Sequence, residues 1–273
     1  MTKDPENKPD KKAGPIVSLG LQLKHCSRII TLGARASLLH YNSHELESIK
    51  SAQIIFFPTL RFVDVFVTAG KKIYPSAESY LIGSNTLKQI IFFKLLNVPH
   101  PRSLICMSRE GMGKVLSEFS YPFVGINYKR KSRSKSECLI KNMDDLIAYL
   151  RTNKLCLFRE ALADQNLIKV VVIDSEIVLA YECTRYERTE LNILGEAGGL
   201  PVNVENVLER ILGSSKLNHF VAEFVWQENN HLLTKLNYVL PVRELNNLGF
   251  DPYKWLCSKI TSGEFSYFRF EEE

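Results

Sequence analysis

The sequence predicts a mixed architecture: a short α/β lobe on the N-terminal side followed by two α+β lobes. Three observations carry this reading. Residues 28–58 run strand, helix, strand, and the second strand, QIIFFP, is fully apolar, as a strand covered on both faces is. Residues 102–157 place the strands YPFVGIN and CLI on either side of a polar run and follow them with a helix. Residues 158–270 hold two strand pairs around an amphipathic helix.

The divisions fall at a polar tail (1–14), an α/β lobe (15–98), a middle lobe (99–157) and a C-terminal lobe (158–273). The tail MTKDPENKPDKKAG carries two prolines and no apolar core after a basic start, so it reads as disordered, not as a signal peptide. RIITLG (28–33) is a strand. SHELESIKSA (43–52) is a helix capped by Asn42 or Ser43, with Glu45 and Glu47 in the first turn where the helix dipole favours acids. QIIFFP stops at Pro58, and residues 64–83 supply a helix, a turn at Gly70 and a short extended piece. TLKQIIFFKLLN (86–97) is a helix with Asn85 as its cap, ending before Pro99 and Pro101.

The middle lobe begins with strand SLICM and helix GMGKVLSEF. YPFVGIN, the polar run YKRKSRSKSE, strand CLI and helix NMDDLIAYLRTN follow. The last lobe opens with LIKVVVI and EIVLAYE, a hairpin turned at Asp174-Ser175. Helix NVENVLERIL, the hairpin 219–238 and helix DPYKWLCSKITSG, with Pro252 in its first turn, complete it.

A chain of 273 residues with 45% hydrophobic and 24% charged residues is an ordinary globular chain. Its net charge of +5 suits an anionic ligand or partner without implying nucleic acid. The six cysteines, at 26, 106, 138, 156, 183 and 257, include no C-x-x-C pair. They read as free buried thiols of a reducing, cytoplasmic compartment. No apolar run approaches ~18 residues, so no membrane span is expected.

The hairpin HFVAEFVWQENNHLLTKLNY (219–238) is the most informative stretch. A turn centred near Asn229 sets Glu223 opposite Lys235, and Lys235 and Asn237 share a face because side chains alternate along a strand. One face thus carries an acid, a cation and an amide. Were Lys235 an acid, this would be a set of oxygen ligands for Mg²⁺.

Five pieces in order resemble the ATP-grasp fold, in its glutamate-ligase and glutathione-synthetase-like branch, over about 53–265. NTLKQIIFFKLLNVPHPRS is similar to the helix leading into a "gip-x-P-x-T" turn. YPFVGIN with CLIKN is similar to "fPfvvK", the phosphate loop and "V-x-li-x-n". LCLFREAL is similar to the hinge strand "vlvqEyi", and IKVVVIDSEIVLAY to "lRvvvigd-x-vv-aY". AEFVW with LTKLNYVLPV is similar to "vDll … vlEvN-x-xPG".

The resemblance implies a site for ATP and Mg²⁺ between the second and third blocks. Two phosphate lysines of the family fall at Thr86 and Ile126, and an isoleucine cannot neutralise a phosphate. Lys88, Lys129 and Lys131 are the candidates that could reach in instead. The loop KRKSRSKSE (129–137) has no glycine, although a backbone phosphate cradle needs glycines. It reads as a solvated basic loop, as a side-chain phosphate clamp, or as a patch for an acidic partner or nucleic acid. The near-absence of interleaved aromatics weighs against nucleic acid.

Glu160 matches the hinge acid, or is a rim acid paired with Arg159 or Lys154. Lys169 stands for an arginine and loses its bidentate fork. LNILGEAGG (191–199) resembles an acceptor-site loop, with Arg185 near a further family arginine that falls at Cys183. Glu223 and Asn237 match metal ligands, and Lys235 stands where the family carries its bridging Glu. An ammonium there repels Mg²⁺ and is expected to pair with Glu223, locking the hairpin, unless the two form an ordinary surface pair. No histidine pair or Ser-His-Asp arrangement reads as a site.

Three functions remain open at this point. The first is a degenerate ATP-grasp member that binds or regulates, with a protein partner or an intact paralogue, as degenerate copies in such families often have. The second is an active ATP-dependent carboxylate–amine ligase working through an acyl-phosphate. The third is an anion or nucleic-acid module using the basic loop at 129–135.

Overall fold

The computed structural model describes residues 14–126, 137–162, 166–184, 192–195 and 199–269. By contacts the chain forms two compact units, one from the residues up to Ala77 together with those from Pro252 on, the other Glu78–Asp251. These units cut the chain differently from the sequential lobes. The expected tail at 1–14 lies outside the described residues except for Gly14.

The first unit is built on a parallel sheet in the order β2-β1-β3-β4, with β1 Ile16–Ser18, β2 Ile30–Thr31, β3 Ile54–Phe56 and β4 Ile73–Tyr74. The expected strand at 28–33 shrinks to β2. The central strand β1 comes from a stretch with no clear alternation, and its pairing on both sides makes it a strand. Helix α1 (Ser43–Ser51) starts at a capping box. The Asn42 side chain accepts from the Glu45 amide at 2.9 Å and the Glu45 carboxylate accepts from the Asn42 amide at 2.8 Å, which settles the cap on Asn42. Helix α2 (Val63–Thr68) ends at Gly70, whose φ of +72° needs no Cβ penalty. All three residues of β3 are buried, and Phe265 packs on Phe56 and Tyr74 with ring centroids 5.3 and 5.1 Å apart.

The expectation of six free thiols is corrected here. Cys26 and Cys257 form a disulfide across 231 residues, with Cα atoms 5.6 Å apart. No local spacing announces it, because only the folded unit brings the segment after β1 to the helix at 252–262. Cys106, Cys138, Cys156 and Cys183 form no disulfide. Burial pushes the Cys156 thiol up to about 11, so almost no thiolate is present near neutral pH. Iodoacetamide applied to the native protein at pH 7.5 is expected to modify Cys138 before Cys156. Peptide mass spectrometry checks the order, and equal labelling of the two would contradict it.

In the second unit, helices α3 (Ala77–Gly83) and α4 (Thr86–Leu95) precede two sheets. The Asn85 side chain caps α4 by accepting from the Lys88 amide at 3.1 Å. The first sheet is antiparallel in the order β5-β8-β6-β7, from β5 Ser103–Met107, β6 Phe123–Ile126, β7 Glu137–Ile140 and β8 Leu155–Glu160. A lobe boundary at 157 would therefore fall inside a strand. Helices α5 (Ser108–Glu118) and α6 (Met143–Thr152) cover one face, with Val115, Leu146 and Tyr149 against Phe123 and Phe158. A Cβ at Gly125 would lie 2.8 Å from the Tyr149 ring, so the strand passes this helix only without a side chain.

The second sheet is antiparallel in the order β11-β10-β9-β12-β13, with β9 Asn166–Ile173, β10 Glu176–Thr184, β11 Asn192–Gly195, β12 His219–Gln227 and β13 Asn230–Asn237. Both hairpins turn on two residues of positive φ, Asp174-Ser175 and Glu228-Asn229, as the right-handed twist of paired strands favours. Helix α7 (Val202–Ser214) buries Val204, Val207, Leu208 and Ile211, one stripe at helical spacing, against Val170, Val172, Phe220 and Ala222. Helix α4 lies between the two sheets, with Phe93 in this core and Ile90 against Ile126 and Leu157. No helix among the described residues is long and apolar enough to cross a membrane.

Candidate functional site

Opposite the α7 face, the second sheet carries a transverse row of polar side chains. Tyr181 on β10 is in register with Lys169 on β9, Lys169 with Glu223 on β12, and Glu223 with Lys235 on β13. The expected juxtaposition of Glu223 and Lys235 therefore holds. A bulge between Glu223 and Phe224 makes Thr234 the extra residue, and its hydroxyl donates to the Glu223 carbonyl at 3.0 Å.

The expected ion pair does not form. Among the described residues Lys235 makes no ion pair and is exposed, while Glu223 is half-buried. The negative charge of Glu223 instead acts on Lys169, its neighbour on β9. Asn237, in register with Val221, spends its side-chain oxygen on the Val239 amide at 3.0 Å.

Sequence reasoning missed the acid that completes the row. Glu244, on helix α8 (Val242–Asn247), accepts from the Lys169 ammonium and from the Tyr181 hydroxyl, each at 2.8 Å and on the same oxygen. Burial alone would push the Lys169 ammonium down, but the hydrogen bond to Glu244 and the nearby acids more than offset it, and it stays charged. Burial first, then Glu244, pushes the Tyr181 hydroxyl up, so it remains a donor. Nothing local in VRELNN marks Glu244, since only the packing of α8 over the sheet aims it at the row.

Glu160 lies at the end of β8, and its carboxylate is taken by neither Arg159 nor Lys154. It accepts from the Arg102 backbone amide at 2.7 Å and from the Arg102 Nε at 2.9 Å. The antiparallel pairing of β5 and β8 places Arg102 beside the strand end, and the bond holds the Arg102 guanidinium above its usual range.

The two family lysine positions, Thr86 and Ile126, come together in one narrow cleft with about 10 Å³ of usable volume, roughly one water. Ile126 is 3% exposed and clusters with Ile90 and Leu157. Its carbonyl accepts from the Tyr149 hydroxyl at 2.8 Å. Lys88 is exposed on α4 and does not line this cleft. Lys129 and Lys131, with the whole run 127–136, lie outside the described residues, as do Arg185 and most of 191–199. Among the described residues Arg159 is the cation that lines the cleft, and its Nη2 donates to Glu137 at 3.1 Å.

The described residues at the family's metal positions do not make a Mg²⁺ ligand set. A metal position would take Glu223, Lys235 and Asn237, of which one is an ammonium and another is engaged with its own backbone. Among the described residues no group of three or more His, Cys, Asp or Glu could hold a metal ion. At the two family lysine positions themselves, Thr86 supplies a hydroxyl and Ile126 an apolar side chain, neither of which offsets a phosphate charge.

No protein-family model and no curated protein matches the chain by sequence. Solved structures do match in three dimensions. A RimK-domain ATP-grasp protein from Sphaerobacter thermophilus is 13% identical, with 90% of this chain and 98% of that one covered at a TM-score of 0.67. D-alanyl-alanine synthetase A from Vibrio cholerae is 13% identical over 92% and 98%, with a TM-score of 0.66. D-alanine–D-alanine ligase from Bacillus anthracis, complexed with ATP, is 14% identical over 90% and 86%, with a TM-score of 0.61. The chain has the ATP-grasp fold, as the five resembling pieces imply, and at these identities the likeness speaks to fold alone.

Proposed function

We propose that this chain is a degenerate ATP-grasp protein, one that keeps the fold as a binding or regulatory protein and has weakened or lost Mg-ATP binding and carboxylate–amine ligation. The observation that carries this reading is the row Tyr181–Lys169–Glu223–Lys235. An ammonium occupies the position where a bridging carboxylate would be needed to offset the charge of Mg²⁺. The one other cation in the row, Lys169, is already neutralised by Glu244. Thr86 and Ile126, on different elements, lack a phosphate-binding charge independently of this row, so the losses do not share one cause. The intact-ligase reading would need Lys88 in the cleft that it does not line, or Lys129 and Lys131. The basic-loop reading, with an acidic protein or nucleic acid as partner, rests on 129–135 alone.

A thermal melt with ATP, Mg²⁺ and both at millimolar concentration tests the proposal. A ligand at about 100 times its dissociation constant adds about 2.7 kcal/mol, a shift of several degrees. The expected result is no increment on adding Mg²⁺ to ATP, and no ADP release with amine and carboxylate mixtures. A rise with ATP that grows with Mg²⁺ would overturn the reading and restore the ligase.

A further inference from the structure

We propose that the Cys26–Cys257 disulfide is a redox latch on the C-terminal stretch of the first unit. Closed, it fastens that stretch to the segment after β1. Opened by a thiol reductant, it frees the stretch to detach and uncover an apolar surface around Phe56 and Tyr74. The inference is independent of the degenerate reading, because no residue of the polar row or the cleft takes part.

The stretch comprises helix α9 (Pro252–Ser262), Phe265 and the short helix α10 (Ser266–Arg269). It joins the first unit from the far end of the chain, and the bond spans 231 residues. Pro252, Leu256 and Ile260 form one buried stripe along α9. Phe265 is fully buried on the rings of Phe56 and Tyr74, and the Tyr267 hydroxyl donates to the Ile73 carbonyl at 3.1 Å on the outer strand β4. Arg28 donates through Nη1 to the Ile260 and Thr261 carbonyls at 3.1 and 3.2 Å and so closes the last turn of α9 close to the disulfide. None of these contacts needs the bond between sulfurs. The stretch therefore stays docked when the bond opens, but less firmly, and the fold does not depend on the bond as a small domain without a core would.

The two sulfurs differ in access. Cys26 is 4% exposed, whereas Cys257 is part-exposed on α9, with the exposed Thr261 hydroxyl 3.9 Å from its Sγ. Disulfides within reach of solvent are the labile ones. An incoming thiolate attacks Cys257 Sγ, forms a mixed disulfide there and expels Cys26 as a thiolate, which takes up a proton. A second thiol then displaces Cys257, and the reductant leaves as its own disulfide. Two electrons and two protons pass from the two thiols to the two cysteines. Oxidation reverses the exchange, because the docked stretch holds the two Cα atoms 5.6 Å apart, within bonding range.

The test equilibrates the full-length protein with glutathione buffers from fully oxidised to fully reduced, then traps thiols by alkylation and reads the peptides by mass spectrometry. Cys26 and Cys257 are expected to become alkylated together within the series, and to be protected again on return to oxidised glutathione. Hydrogen exchange on the same samples reads the latch. After reduction the amides of 252–269 are expected to exchange about tenfold faster, while those of β9 and β12 in the second unit keep their rates. Cys257→Ser is expected to show the faster exchange in both buffers. Arg28→Gln is expected to change little while the bond is closed and to speed exchange further once it is open. A bond that stays closed through the series, or a pair that oxidised glutathione does not close, overturns the proposal. So do unchanged exchange at 252–269 after reduction, equal acceleration in both units, and failure of both Cys257→Ser and Cys26→Ala to fold.

Discussion

Replacing Gln89 with Leu is expected to destabilise the second unit by about 2 kcal/mol or more, the sum expected when two buried backbone groups each lose a partner at about 1–3 kcal/mol and a part-buried one loses less. Gln89 sits on α4 at 3% exposure. Its amide nitrogen donates to the Ile82 carbonyl at 2.9 Å and the Leu236 carbonyl at 2.7 Å, and its oxygen accepts from the Leu236 amide at 3.1 Å. Strand β13 is the outer strand of its sheet, and Gln89 gives its edge the partner that a further strand would otherwise provide. Leucine matches the volume but offers neither donor nor acceptor. Urea unfolding of the two proteins checks the difference, and a loss under 1 kcal/mol would show that the strand edge does not depend on this amide.

Acid is expected to destabilise the protein through His219. Burial pushes its imidazole down from 6.5 to about 3. In the unfolded chain the same ring is protonated below its ordinary value, so between pH 6.5 and about 3 the unfolded state holds a proton that the folded state excludes. Stability contributed by the neutral ring is thus fully present above pH 6.5 and declines as pH falls, by about 1.4 kcal/mol for each pH unit. His219→Gln removes the titration and is expected to flatten the fall in stability between pH 6 and 4 relative to the wild type. Chemical denaturation at several pH values measures both slopes. Parallel slopes would exclude His219 as the acid-sensitive group.

The polar row and the cleft differ in how far the sequence reveals them. The cross-strand position of Glu223 and Lys235 is only partly legible, because the two-residue turn at 228–229 by itself sets Glu223 opposite Thr234, and the bulge that leaves Thr234 unpaired brings Lys235 into register. The absence of an ion pair between them does not follow from that register, since facing positions on neighbouring strands do not oblige two long side chains to meet. Glu160 was visible as an acid at a strand end, but its partner Arg102 is 58 residues away and depends on the pairing of β5 with β8. Glu244 and Arg159 carried no motif. Their importance comes from what lies across from them.

Local chemistry in the sequence determined the elements that local chemistry can specify. The capping residues Asn42, Asn85 and Asn142 start their helices, the turns at 174–175 and 228–229 close their hairpins, and the apolar stripe of α7 faces a sheet. Each is set by hydrogen bonds or backbone preferences within a few residues, or by the period of apolar positions. The order of the blocks was also enough to identify the ATP-grasp fold. Tertiary structure alone decided the strands and boundaries that depend on distant partners, such as β1 between β2 and β3 and β8 inside the middle sheet. It alone decided the Cys26–Cys257 bond, the closure of the β13 edge by Gln89 and the neutralisation of Lys169 by Glu244. A buried polar group finds whichever partner the fold brings within about 3 Å, and that distance has no counterpart in sequence separation.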